Sequence, residues 1–295
     1  MAPPPSRPEG SGGFSLEPPT LTADDLLVLE DEHFDRETVA IVTGAGSGIG
    51  RATTLALMAN GCTVTGLDID DDGLNETTER ADAFDLDGSH IELTCDLTDD
   101  DAVTEAIDTA SEHGDIRFLA NIAGMQHIAS IIDFPMDRFD LMQALMLRAP
   151  FFLAQQVMPH IEATDDGRGA IGNMSSIHGH IATTDKPAYI AAKHGLNGLT
   201  RSIAAEGDGA IRGFTVSVGY VFTPLMVNQI EATANERGIS EQAVVEDVML
   251  GPAKTKRMIT PAEVANLFVF GFSSHAEHLN GGDLLFDGGF TTTYD

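Results

Sequence analysis

The stretch TVAIVTGAGSGIG, residues 38–50, decides the fold. Thr38–Thr43 is β-branched and apolar without polar alternation, which predicts a strand buried on both faces. It runs into Gly44-Ala45-Gly46-Ser47-Gly48-Ile49-Gly50, where a helical pattern starts and continues to Ala59 with Leu55, Ala56 and Ala59 at helical spacing. Glycines in a strand–helix turn can serve tight packing alone. Inside a βαβ unit of about 30 residues they also let backbone approach a pyrophosphate, which the helix N-terminus meets with N–H donors and a positive dipole.

Outward from this turn, a second strand over Cys62–Leu67 ends at Asp68. A carboxylate there accepts from both hydroxyls of a ribose and repels a 2′-phosphate. The turn holds no Lys or Arg before Gly48, so the expected cofactor is NAD rather than NADP; the alternative is that Asp68 is one more surface acid among 46. Further strands are predicted at His90–Cys95, Ile116–Asn121, Ala170–Ser175, Phe214–Val218 and Asp283–Phe286. Helices are predicted over Ala102–His113, Met136–Leu147, Arg148–Glu162, Ala188–Ala205, Glu241–Met249 and Pro261–Phe272. Strands alternating with helices predict an α/β fold, a doubly wound parallel seven-stranded sheet of Rossmann type in a single domain.

Residues 1–20 hold six of the 13 prolines, a composition that predicts disorder. Leu21–Asp35 adds acids and one short apolar run, expected as a single helical turn packing on the body. The expected division is therefore an extension over 1–35 and a folded domain over 36–295.

The 295 residues carry 46 acids against 16 bases, a formal charge of −30, and lysine occurs only at 186, 193, 254 and 256. Nucleic-acid binding needs a clustered basic face, and an anionic membrane would repel this chain. No apolar run approaches the ~18–20 residues of a membrane helix, and the N-terminus has no secretory signal, so the expected compartment is the cytoplasm. So acidic a surface suits molar salt, where the Debye length falls to about 3 Å. A halophilic source is the reading preferred over a merely acidic mesophilic protein. Cys62 and Cys95 lack metal-ligand spacing; small buried roles are expected, and no metal.

Tyr189 and Lys193 stand at i and i+4 of a predicted helix, with Ser175 and Ser176 just past a strand. A cation near a phenol favours the phenolate and draws its pKa from ~10 toward neutrality, where it can exchange a proton with an alcohol. With these residues in view, the chain from Thr38 to the C-terminus resembles the short-chain dehydrogenases/reductases. TGxxxGIG is matched at Thr43–Gly50, the acid after the third strand at Asp96, NxAG at Asn121–Gly124, YxxxK at Tyr189–Lys193 and the late DGG at Asp287–Gly289. The resemblance implies that Ser176 holds the substrate oxygen, Tyr189 is the acid/base, and Lys193 binds the nicotinamide ribose and lowers the tyrosine pKa. It also implies cofactor contacts from Gly44, Ser47, Gly48, Ile49, Gly50, Asp68, Asp96, Leu97, Asn121, Ala123, Gly124 and Thr223.

Within that family, the chain is similar to the D-3-hydroxybutyrate dehydrogenases over Ala123–His127, Ser176–Gly179, Lys186–Thr200 and Thr223–Ile230. This similarity implies a small hydroxy acid as substrate, with its carboxylate held by Gln126, His178, Lys186 and Gln229. A lid over residues 223–258 and a homotetramer are implied in the same way. Three positions depart from the family pattern. Met146 stands where a catalytic Asn is usual and cannot hold the water of a proton relay, which is then slowed, rerouted near Arg148 or lost. Ile122 replaces an Asn, and Val218 precedes Gly219 where Pro is usual. The readings left open are a dehydrogenase for another hydroxy acid, a sugar alcohol or an acyl thioester, and a non-catalytic NAD-binding sensor or scaffold.

Overall fold

A computed structural model describes residues 20–293. The expected disorder of residues 1–19 lies outside the described residues. Seven strands form one parallel sheet: β1 (Thr38–Thr43), β2 (Thr63–Asp68), β3 (Ser89–Thr94), β4 (Asp115–Asn121), β5 (Gly169–Met174), β6 (Ile211–Val218) and β7 (Gly282–Phe286). Their order is β3-β2-β1-β4-β5-β6-β7, the doubly wound single domain expected. The chain winds outward from β1 to β3 and then crosses back to β4. The C-terminal ends of β1 and β4 therefore flank a switch point, where open α/β sheets bind ligands.

Helices cover both faces: α1 (Gly48–Ala59), α2 (Asp71–Ala83), α3 (Asp100–Ser111), α4 (Met136–Gln143), α5 (Ala149–Glu162), α6 (Pro187–Glu206), α7 (Pro224–Arg237), the short α8 (Glu241–Ala243) and α9 (Pro261–Phe272). One core joins α1 and α9 to the sheet through Leu55, Val64, Phe118, Phe214, Phe268 and Phe272. The Phe118 and Phe272 rings stack there at 4.9 Å. The opposite core joins α3 and α5 to the sheet through Ile41, Val103, Ile107, Leu119, Leu153 and Ile171. Strands β1, β5 and β6 are buried along their whole length, and apart from Asn173 and Arg212 they read as apolar or small-residue runs.

Four features differ from expectation. The sequence reading had no helix at α2, whose buried stripe is only Gly73, Leu74, Thr77 and Ala81. Thr77 is buried because its hydroxyl donates to the carbonyls of Ala45 and Gly73. The lid contains a full helix, α7, whose Thr223 caps it by accepting from the Met226 N–H. The two helices expected over Met136–Leu147 and Arg148–Glu162 are joined by a π-helical turn, Ala144–Arg148, with Met146 at its centre.

Finally, residues 20–35 pack on the body, so the boundary at 36 falls inside the folded unit. The single turn expected here is present at Ala23–Asp25, and Leu26 and Phe34 enter the α1/α9 core. Asn60 and Asn266 bind the strap backbone on either side: the Leu29 N–H donates to Asn60, which donates to the Leu27 carbonyl, while the Leu27 N–H donates to Asn266.

Candidate active site

The glycine turn leaves β1 at the switch point, and its backbone shape depends on missing side chains. A Cβ at Gly50 would lie 1.9 Å from the Gly44 carbonyl oxygen, so α1 can enter this close to the turn only with glycine there. Gly48 has φ +50° and supports the start of the lid, with Thr223 Cγ2 3.3 Å from where its Cβ would stand. Beside the turn lies a cleft of about 500 Å³, lined by Gly44, Ser47, Gly48, Ile49, Gly50, Asp68, Asp96, Leu97, Ala123, Gly124 and Thr223, among others. These are the expected cofactor residues, gathered from five separate loops and strand ends. The narrow glycine approach, the open N-terminus of α1 and a carboxylate at the rim fit a dinucleotide.

Asp68 is fixed at that rim. Its Oδ2 accepts from the Gly46 N–H at 2.9 Å and its Oδ1 from the Asp70 N–H at 3.1 Å. Asn121 does not line the cleft. Its amide is buried behind it and donates to Asn173 Oδ1 at 2.8 Å, so its place is structural support for the β4–β5 pair. The Asp96 carboxylate accepts from the Thr98 N–H and hydroxyl, which draws it into its own turn and holds its pKa below the usual carboxylate value.

The cleft continues into a smaller cavity of about 130 Å³, walled by Ser176, His178, Lys186, Tyr189, Lys193, Gln126 and Gln229. The catalytic trio and all four expected carboxylate ligands thus meet in one place. Ser175, the rival serine, also lines the cavity, but its hydroxyl donates to Asn197 at 2.6 Å. Ser176 stands beside Tyr189 in the cavity wall, and its hydroxyl favours the phenolate. The Lys193 ammonium donates to the Met174 carbonyl at 2.7 Å and lies 5.4 Å from the centre of the Tyr189 ring.

Electrostatics here correct the expectation drawn from spacing. Burial pushes the Tyr189 phenol up to about 12, and the Ser176 hydrogen bond offsets only part of that. Burial also brings Lys193 down to about 8. The i, i+4 spacing is real, but the ammonium is committed to a carbonyl rather than to the phenol.

Lys186 is 7% exposed, brought down to about 8 by burial and by Arg237. It lies 5.3 Å from the centre of the Tyr220 ring, and among the described residues no side chain or carbonyl accepts from its ammonium. His178 is held neutral, down at about 3, by burial and then by Lys186. Both its ring nitrogens are engaged, Nδ1 with Ser176 Oγ at 3.3 Å and Nε2 with Thr183 Oγ1 at 3.0 Å. That leaves neither nitrogen free for the carboxylate contact expected of it. Tyr220 was missed by the sequence reading, although it is one of only three tyrosines and follows the altered Val218-Gly219 pair.

Among the described residues no cluster of His, Cys, Asp or Glu could hold a metal ion, and no helix is long and apolar enough to cross a membrane. Fold and site together define an oxidoreductase of the dinucleotide-dependent α/β class. A family model described as "Enoyl-(Acyl carrier protein) reductase" matches residues 44–291, and the chain belongs to the short-chain dehydrogenase/reductase family, which uses NAD or NADP.

Among relatives, a D-beta-hydroxybutyrate dehydrogenase of Rhizobium meliloti is 34% identical over 256 residues, 85% of this chain and 98% of that protein. A D-threitol dehydrogenase of Mycolicibacterium smegmatis is 32% identical over 91% of this chain and 98% of its own length. The crystal structure of levodione reductase superposes with a TM-score of 0.81 at 28% identity, covering 88% of this chain and all of that one.

Proposed function

We propose that this chain interconverts (R)-3-hydroxybutyrate and acetoacetate with NAD. The observation that carries the reading is Lys186, a buried ammonium lining the cavity with Ser176 and Tyr189 that has no anionic partner among the described residues. An unpaired buried cation is costly, and a small carboxylate ligand removes that cost. In this reading Lys186, Gln126 and Gln229 hold the carboxylate while Ser176 and Tyr189 hold the hydroxyl. In its phenolate form Tyr189 takes the hydroxyl proton; that form is the minor one in the free protein, because burial holds the phenol up at about 12. When bound, the nicotinamide supplies the hydride acceptor. Lys193 is placed to hold its ribose, and the lid with α7 excludes water.

Two features of the rim support NAD rather than NADP. Arg51, the guanidinium nearest the turn, is spent on the carbonyls of Gly46 and Gly73, on Thr77 and on Glu76 at 2.8 Å. Asp68 stands where a 2′-phosphate would meet a like charge. Because such a juxtaposition costs several kcal/mol, Asp68→Ser is expected to reduce discrimination against NADP by about tenfold or more. Dissociation constants for both dinucleotides check this; an unchanged ratio removes Asp68 from the cofactor site.

The first test is NADH formation from (R)-3-hydroxybutyrate, with the (S)-acid and NADP as controls, at low and at molar salt. The expected result is turnover of the (R)-acid that rises with salt, because counterions screen a chain of formal charge −30. A rate highest near zero salt would refute the halophilic reading. Preference for a sugar alcohol or an acyl thioester would move the substrate to that class, and tight NAD binding without turnover would make the chain a sensor or scaffold. Cytoplasmic residence and a homotetramer belong to the same proposal; light scattering checks the second.

Lys186 also sets a pH dependence. With its value brought down from 10.5 to about 8, the free enzyme keeps the ammonium below about pH 8 and loses it above. The Michaelis constant for the hydroxy acid should therefore climb about tenfold per pH unit above that point, while a neutral alcohol shows no such rise. A flat profile to pH 10 would exclude Lys186 as the carboxylate ligand.

A further inference from the structure

Oxidation of an alcohol leaves a proton on Tyr189 that must reach water. Beyond Lys193 the position usual for a relay is apolar. Its ammonium meets the Met174 carbonyl, and Met146, 1% exposed, packs with Met142, Ala188 and Ala192 against the tyrosine. Arg148, next to this position in sequence, is turned outward and holds Asp100 through two bonds of 2.7 Å.

On the other side of Tyr189 the polar atoms continue. Ser176 lines the cavity beside the phenol, His178 Nδ1 lies 3.3 Å from Ser176 Oγ, and His178 Nε2 lies 3.0 Å from Thr183 Oγ1. Thr183 is exposed and lines a second cavity of about 350 Å³ that also touches Lys186 and Gln229. Ser176 Oγ accepts from the His178 backbone N–H at 3.2 Å, which leaves it a second lone pair on the side of Tyr189. When Tyr189 has gained a proton and donates to that lone pair, the serine donates to Nδ1, and the ring carries its hydrogen on Nε2, toward Thr183.

We propose that Ser176, His178 and Thr183 are the proton exit of this enzyme, in place of a relay beyond Lys193. The Tyr189 O–H breaks as its proton passes to Ser176 Oγ, and the serine's own proton passes to His178 Nδ1. The Nε2–H bond breaks in the same event, its proton going to Thr183 Oγ1 while the threonine releases one to water. One proton leaves, no electrons move, and Tyr189 is again phenolate. Because the ring is held neutral, the two transfers at its nitrogens occur together and no imidazolium resides there. The starting tautomer returns when the lid opens and water exchanges the ring protons. The inference rests on the dehydrogenase reading of the site but not on the identity of the alcohol.

Thr183→Val removes the hydroxyl at the outer end without touching the substrate cavity. In a single turnover with NAD and (R)-3-hydroxybutyrate, or whichever alcohol the wild type oxidises, NADH absorbance and proton release to a pH indicator are followed together. The two should coincide in the wild type and in Thr183→Ser. In Thr183→Val proton release should lag by about tenfold or more, with the Michaelis constant unchanged, and a small buffer base should shorten the lag. Proton release that keeps pace with NADH in Thr183→Val overturns the proposal, as does a lag that buffer cannot shorten.

NMR of the ¹⁵N-histidine-labelled protein gives a readout free of turnover: His178 should be the Nε2–H tautomer, and Nδ1–H would overturn the assignment. If the wild type forms no NADH from any alcohol, the dehydrogenase reading fails. The tautomer then decides the bonded chain separately.

Discussion

Tyr189→Phe is expected to lower turnover by about 10³-fold while leaving the NAD dissociation constant within about twofold, because general acid–base groups contribute roughly 10²–10⁴. Of the two phenols that line the cavity, Tyr189 is the one beside Ser176. Its ring packs in the small apolar cluster with Met142, Met146, Ala188 and Ala192, and phenylalanine keeps that packing. Folding should therefore survive, and loss of rate would report chemistry alone. Stopped-flow hydride transfer and equilibrium NAD titration on the same preparation separate the two. A variant that keeps more than a tenth of the rate would remove Tyr189 as the base.

Lys186→Met is expected to lower kcat/KM for (R)-3-hydroxybutyrate by about 10²–10³-fold, almost all of it in KM. Methionine preserves the stem against Tyr220 but leaves a substrate carboxylate in a dry cavity without its cation, and breaking one partner of a buried ion pair costs about 3–5 kcal/mol. The neutral alcohol 2-butanol, which has no carboxylate, should be turned over equally by both proteins. If both substrates suffer alike, the lysine supports the fold of the cavity wall rather than the substrate. The free protein itself should gain stability, since a buried ammonium without an anion is removed from it.

How far the sequence could be read depended on whether a residue's job is local. The β1 turn, Asp68 and the Tyr189–Lys193 pair are set by spacing along one strand or helix, and they stand where the pattern places them. The helix α2 was illegible because its inward stripe includes Gly73 and Thr77, and a threonine buried by donating to two carbonyls has no apolar signature. The π-helical turn at Ala144–Arg148 adds residues between two helices without changing their composition, so no period marks it. Helix α7 did carry a helical spacing at Met226, Ile230, Thr233 and Ala234, yet the segment was read only as a lid. The site's electrostatics were the least legible part: adjacency at i, i+4 says nothing of which acceptor a lysine chooses, and Lys193 chose Met174, nineteen residues away.

The strap of residues 20–35 has a consequence for the order in which this protein can be made. Its backbone pairs with Asn266, 239 residues downstream, and Asp31 accepts from Ser274, 243 residues downstream. Those partners are synthesised about 240 residues later. The buried apolar residues of the strap, Leu26 and Phe34, must therefore wait until α9 has been made before the surface that receives them exists. Completion of this core requires closing a loop of about 240 residues.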